Sequence, residues 1–201
     1  MALNTSSDTK LILASASPRR IELLNLIGIN FATIPTNIDE AILPNEKATD
    51  MVLRLATEKA FKIVSDNLAH LNEKSFIIGA DTTVYANIEI LGKPVDRNDA
   101  YRMLKLLSGN KHQVIGGIAL LDHLGEIVEQ AVQITEVEFY PLSDQQINSY
   151  IDSREPFDKA GAYAIQGIAM QFVKSINGSY SNIVGLDIAL VTNWFRKHCI
   201  I

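Results

Sequence analysis

Two short apolar runs constrain this chain most: "KLILAS" at 10–15 and "SFIIGADT" at 75–82. Each is too short for a helix and reads as a buried strand. Between them, from about Thr49 to Leu71, the apolar residues Met51, Val52, Leu55, Ala56, Ala60, Ile63 and Val64 recur at helical spacing. A shorter helix is expected from Pro18, with Ile21, Leu24 and Ile27 on one face and Gly28 as its stop. "FATIPT" reads as a further strand, and "DAYRMLKLLSG" as a helix ending in glycine. "TVYANIEIL" resembles a hairpin turning near Ala86 and Asn87, although the turn lacks a strong glycine signal. "QVIGGIALLD" pairs with "EIVEQAVQITEVEFY" around "HLGE", and Ser143 with Gln146 forms a capping-box pattern. The loop "SREPFDKAGAYAIQG" leads to a last strand, "QFVKSI", and a terminal helix. Alternating helices and strands, some of them in hairpins, imply an α/β fold. Its sheet is mixed, partly antiparallel and twisted, with flanking helices.

The 201 residues suit one domain, or two small lobes sharing a sheet. The expected organisation is a single domain over 1–201, with 93–151 forming much of a second lobe and 1–9 flexible. No apolar stretch is long enough to span a membrane. "MALNTSSDTK" lacks the apolar core of a secretory signal, so a cytoplasmic address is expected. Cys199, alone of its type, reads as a bystander. A formal charge of −5 argues against a broad basic surface for nucleic acid, so any anion would be held by a few focused cations.

"LASASPRR" supplies such cations. Ser17 as N-cap and Pro18 at the first position mark a helix start. Arg19 and Arg20 then lie where the helix dipole is already positive. An external anion would resolve that anomaly, because the free amides after Ser15 and Ser17 are natural phosphate donors. Pairing with an acid such as Glu22 resolves it equally well, and spacing leaves both open. Lys59 falls on the apolar stripe, four residues from Leu55 and from Ile63. Its ammonium either snorkels to water or enters a cleft, and the stripe position favours the cleft. Asp81 ends its apolar run as Ser15 ends the first one, so both would reach one crevice if the strands are parallel. Asp81 could also simply cap a turn, with Thr82 and Thr83 beside it. Glu40, Lys93 and Lys159 read as solvated loop residues. No P-loop, metal-spaced histidine pair or GxSxG elbow is present.

Taken in order, "LASASPRR", "GADT", "LGKP" and "EPFDKAGAYAIQG" closely resemble the Maf family of nucleoside triphosphate pyrophosphatases, from about Lys10 to Trp194. "DKAGAYAIQG" and "INGSYSNIVGL" are similar to the branch acting on dTTP and UTP rather than on 7-methyl-GTP. The resemblance implies cleavage between the α and β phosphates, a divalent cation (Mg²⁺ or Mn²⁺), two lobes around a nucleotide cleft, and a homodimer as a frequent assembly. By motif it assigns Ser15, Arg19 and Arg20 to phosphate binding, followed by Glu40, Lys59 and Lys93. It makes Asp81 the catalytic base, associates Arg19, Thr82 and Gln166 with the nucleobase, and allows Glu40 and Asp81 to hold the metal. The implied partner is a nucleoside triphosphate. The competing expectation is a non-catalytic nucleotide-sensing regulator of cell division using the same pocket. Three positions depart from the family pattern: Ala164 stands for glycine, Asp187 for proline and Gly116 for serine or threonine.

Overall fold

The computed structural model describes residues 9–67 and 70–201. The flexible start expected over 1–9 lies outside the described residues except for Thr9. In chain order the elements are β1 (Lys10–Leu13), α1 (Pro18–Leu26), β2 (Ala32–Thr33), α2 (Ala48–Asn67), β3 (Ser75–Ala86) and β4 (Glu89–Leu91). Then come α3 (Arg97–Leu107), β5 (Lys111–Asp122), β6 (Ile127–Phe139) and α4 (Asp144–Asp152). Three 3₁₀ turns, at Glu155–Asp158, Ala160–Ala162 and Ile168–Phe172, precede β7 (Val173–Asn177), α5 (Tyr180–Val184) and α6 (Ile188–Lys197).

The strands follow the order β2-β1-β3-β5-β6-β7, with β4 paired to β3. β1 runs parallel to both β2 and β3, with Leu13 opposite Ile78. β4 and β7 add antiparallel pairs on β3 and β6. The expected mixed α/β sheet is therefore present. The chain divides into two compact units, one of 1–81, 116–133 and 185–201, the other of 82–115 and 134–184. Among the described residues no helix is long and apolar enough to cross a membrane.

In the first unit, α2 lies on the sheet through Ala56, Ala60, Ile63 and Val64, which are buried with Ile12, Ala14, Ile77, Ala119 and Leu121. Two glycines set how closely it lies. A Cβ on Gly79 would meet the Ala56 carbonyl oxygen at 2.0 Å, and one on Gly117 would meet the Val52 carbonyl oxygen at 2.2 Å. No side chain fits there, so helix backbone rests directly on strand backbone. Three residues beyond Ala56 is Lys59, and two beyond Gly79 is Asp81. In the second unit, Asp96 caps α3 and Ser143 with Gln146 completes the capping box of α4. His112, Phe139, Tyr163, Phe172 and Tyr150 pack edge to face beneath the loop that follows.

Several elements differ from their sequence expectation. The apolar run before Asp81 is not a strand end, since β3 continues to Ala86 and turns back on β4. Asn87 and Ile88 take φ of 48° and 60° at that turn, the left-handed pair of a tight hairpin made without glycine. β2 covers only Ala32 and Thr33: the Ile34 amide still donates to the Leu13 carbonyl, but β1 ends there and its chain turns away at Ser15. α2 is described to Asn67, whose side-chain amide donates to the Ile63 carbonyl, and Leu71 itself is not helical. Asp187, standing for proline, caps α6 by accepting from the Leu190 amide at 3.2 Å.

Candidate active site

β1 hands the chain to α1 through a tight corner. The Ala14 amide donates to the Ile78 carbonyl and extends the ladder by one residue, after which the Ser15 amide turns back to Leu13. Ser17 occupies the N-cap position of α1, yet its side chain caps nothing, and no acid lies in the first turn. Ser15 is the organiser instead. Its Oγ accepts from the Ser17 amide at 3.1 Å and from Arg20 Nη1 at 3.3 Å. Arg20 is only 9% exposed, and its Nε donates to the Gly185 carbonyl at 2.8 Å. Burial pulls its guanidinium below the usual arginine range; Asp81 and Glu40 oppose that pull, and Arg19 adds to it.

Lys59 decides the character of the site. Its Nζ lies 2.6 Å from Glu40 Oε1 and 2.7 Å from Asp81 Oδ1, with the residue 7% exposed. The ammonium is therefore held between two carboxylates instead of snorkelling to water. Glu40 reaches it because Arg54, five residues earlier on α2, pins the loop. Arg54 Nη2 donates to the Ala41 carbonyl, while Nε and Nη2 hold Glu46 at 2.6 and 2.8 Å. Those bonds keep the Glu46 carboxyl down to about 2. Ser15, Arg20, Glu40, Lys59 and Asp81 thus form one cluster, with cations and carboxylates closely apposed in a partly desolvated place. Such a place suits a multiply charged anion accompanied by a metal cation.

The family model described as Maf-like protein matches residues 10–198. This chain belongs to that family. Curated relatives agree over nearly their whole lengths. A protein of Colwellia psychrerythraea named dTTP/UTP pyrophosphatase is 49% identical over 92% of this chain and 86% of its own. Proteins of the same name from a Geobacter species and from Carboxydothermus hydrogenoformans are 48% and 46% identical, each over 94% of this chain and 95% and 98% of their own. A solved nucleoside-triphosphatase / dITP/XTP pyrophosphatase from Mycobacterium abscessus matches with a TM-score of 0.43 and 14% identity, over 67% of this chain and 76% of that one.

Within this Maf-like chain the remaining candidates stand as follows. Arg19 is half-buried on α1, beside Arg20. Thr82 follows Asp81 in β3 and is half-buried. Lys93 is exposed just beyond β4, and Gln166 is exposed in the loop before the last 3₁₀ turn. Lys159 pairs with Asp158. Ala164 does not have a positive φ, so the glycine common there in the family is not needed for backbone freedom.

Among the described residues no group of three or more His, Cys, Asp or Glu side chains gathers as a metal site. Glu40 and Asp81 nevertheless fit a hard divalent cation. Both carboxylates touch one nitrogen, and Mg²⁺ characteristically takes one or two carboxylates with phosphate oxygens and water. Sequence reasoning passed over Arg54 and the Gly185 carbonyl. Arg54 also pairs with Glu58 four residues on, and nothing in its own spacing points to the Glu40 loop. Gly185 lies 165 residues from Arg20, and no local pattern links the two.

Proposed function

We propose that this chain is a nucleoside triphosphate pyrophosphatase acting on dTTP and UTP. Water attacks between the α and β phosphates, the bridging P–O bond breaks, and the nucleoside monophosphate and pyrophosphate leave. The observation that carries the reading is the buried Lys59 ammonium held by both Glu40 and Asp81 beside Arg20. The names of the relatives supply the substrate class.

Ser15 and Arg20 bind phosphate oxygens. Arg20 does so from a guanidinium already fixed by Gly185, so little ordering entropy is lost on binding. Lys59 neutralises charge that builds on the phosphates, and Lys93 adds a further cation. Arg19, Thr82 and Gln166 carry the nucleobase contacts implied by the family resemblance. Asp81 orients the attacking water and accepts its proton. Glu40 and Asp81 would hold Mg²⁺ or Mn²⁺, which when bound neutralises phosphate charge and acidifies water. The family resemblance also supports a homodimer.

The test is pyrophosphate release from a panel of nucleoside triphosphates with Mg²⁺ and with Mn²⁺. Release from dTTP and UTP in excess of GTP and ATP is expected. Tight binding without release would instead support a nucleotide-sensing regulator.

A further inference from the structure

We infer that Tyr150 and Glu155 form a bracket that fixes the backbone of Ala164–Ile168 and thereby sets the nucleobase selectivity attributed to Gln166. The inference rests on the function proposed above. α4 ends at Asp152, and Arg154 then takes a left-handed φ of 64°, which turns Glu155 back beneath the helix. The Tyr150 hydroxyl donates to Glu155 Oε1 at 2.9 Å and accepts from the Ala164 amide at 3.3 Å. Glu155 Oε2 accepts from the Ile168 amide at 3.0 Å. One carboxylate and one hydroxyl therefore hold both ends of a five-residue segment.

Inside that segment the Gly167 amide donates to the Ala164 carbonyl at 3.1 Å and closes a four-residue turn. Gln166 is the third residue of the turn, and its side chain is exposed. A Cβ on Gly167 would meet Glu155 Oε1 at 2.2 Å, so a side chain there would displace the carboxylate from the turn. Residues before the turn are anchored as well. The Tyr163 hydroxyl lies 2.9 Å from His112 Nε2, and both rings are buried. Tyr150 is 2% exposed and packs edge to face on Phe172. The backbone on either side of Gln166 is thus pinned from beneath, while Gln166 faces outward on a preset turn. Such an arrangement turns one amide side chain into a selective reader, because the reader loses little freedom on binding. Tyr150 and Glu155 act through Gln166, so they are positioning residues.

The experiment uses the full chain with Tyr150→Phe, Glu155→Ala and Glu155→Gln. Each variant is assayed for kcat and KM with dTTP, UTP, CTP and GTP, and for exchange of the Ile168 amide hydrogen. Glu155→Ala should raise KM for dTTP and UTP about tenfold with kcat within about threefold of wild type. The preference over CTP and GTP should narrow by a similar factor, and Ile168 should exchange at least about tenfold faster. Tyr150→Phe should move the same parameters in the same direction. Glu155→Gln, which retains an acceptor for Ile168, should recover most of the loss. Equal changes for all four nucleotides, or unchanged preference despite faster Ile168 exchange, would overturn the inference. If wild-type chain releases no pyrophosphate, the proposed function fails by itself. The bracket is then read from equilibrium binding of dTTP against GTP in the same variants.

Discussion

Asp81→Asn is the sharpest probe of the cluster. Asparagine keeps the volume and one acceptor but removes the charge facing Lys59 at 2.7 Å and the buried Arg20. Breaking a fully buried ion pair costs about 3–5 kcal/mol. Here the Asp81 side chain is 13% exposed, and Glu40 remains 2.6 Å from the same ammonium. The expected loss is therefore smaller, about 1–2 kcal/mol. For a chain of this size that is a fall in Tm of about 2–8 °C. Against a typical stability of about 5–15 kcal/mol, the variant remains almost wholly folded. Loss of a general base, by contrast, lowers turnover by about 10²–10⁴-fold. The two effects are thus separable in size. Pyrophosphate release from saturating dTTP, measured beside a melting curve, should show a loss of at least about a hundredfold with a modest drop in Tm. Turnover within about threefold of wild type, at unchanged nucleotide affinity, would refute the role given to Asp81.

Lys59→Met leaves Glu40 and Asp81 facing each other without a cation; dTTP affinity measured by calorimetry should weaken at least about tenfold, and unchanged affinity would make the lysine purely structural. Gly79→Ala drives a Cβ into the Ala56 carbonyl, so Tm should fall by an amount matching about 1–3 kcal/mol or more, with activity falling alongside as α2 lifts Lys59 away from Asp81. Gly92→Ala, with nothing within 4 Å, is the neutral control. Burial holds the His112 imidazole down to about 4, below the 6.5 of an exposed histidine. The unfolded chain therefore takes up that proton first as pH falls. Stability from this group is complete above pH 6.5 and declines towards pH 4, by about 3 kcal/mol in all. Urea titrations of His112→Gln, which keeps a hydrogen-bonding group for the Tyr163 hydroxyl, should show a flatter decline than wild type across that window.

What the sequence disclosed about this site depended on whether the signal was local. Lys59 was legible because helical period alone placed a cation on an apolar stripe, and the structure puts that stripe against β3. Asp81 was found for a partly mistaken reason. The apolar run stops there, but the strand does not; Thr82–Ala86 remain in it because β4 supplies hydrogen bonds. Glu40 read as a bland loop acid, since its partner comes from α2 and its loop is pinned by Arg54. The buried setting of Arg20 needed Gly185, which no window around the "SPRR" segment contains.

These cases share a physical pattern. Residues whose environment is set by their own helix or strand period can be read one element at a time. Residues whose charge is fixed by a distant backbone group require the fold. The two arginines at the start of α1 show both sides. Their excess positive charge was visible at once, at a helix end where acids are favoured. The family resemblance linked Arg19 alone to the nucleobase, and the structure adds a difference in setting: Arg20 is buried and fastened to Ser15 and Gly185, while Arg19 remains half-exposed. A guanidinium fastened before substrate arrives suits a fixed phosphate contact. One left partly in solvent can adjust to what the triphosphate carries. Arg20→Lys should therefore cost more dTTP affinity than Arg19→Lys, because lysine cannot reproduce the forked contact to Ser15 and Gly185. Arg19→Lys should act mainly on the ratio of dTTP to GTP turnover. Equal effects of the two substitutions on affinity and on that ratio would show that the burial difference has no functional consequence.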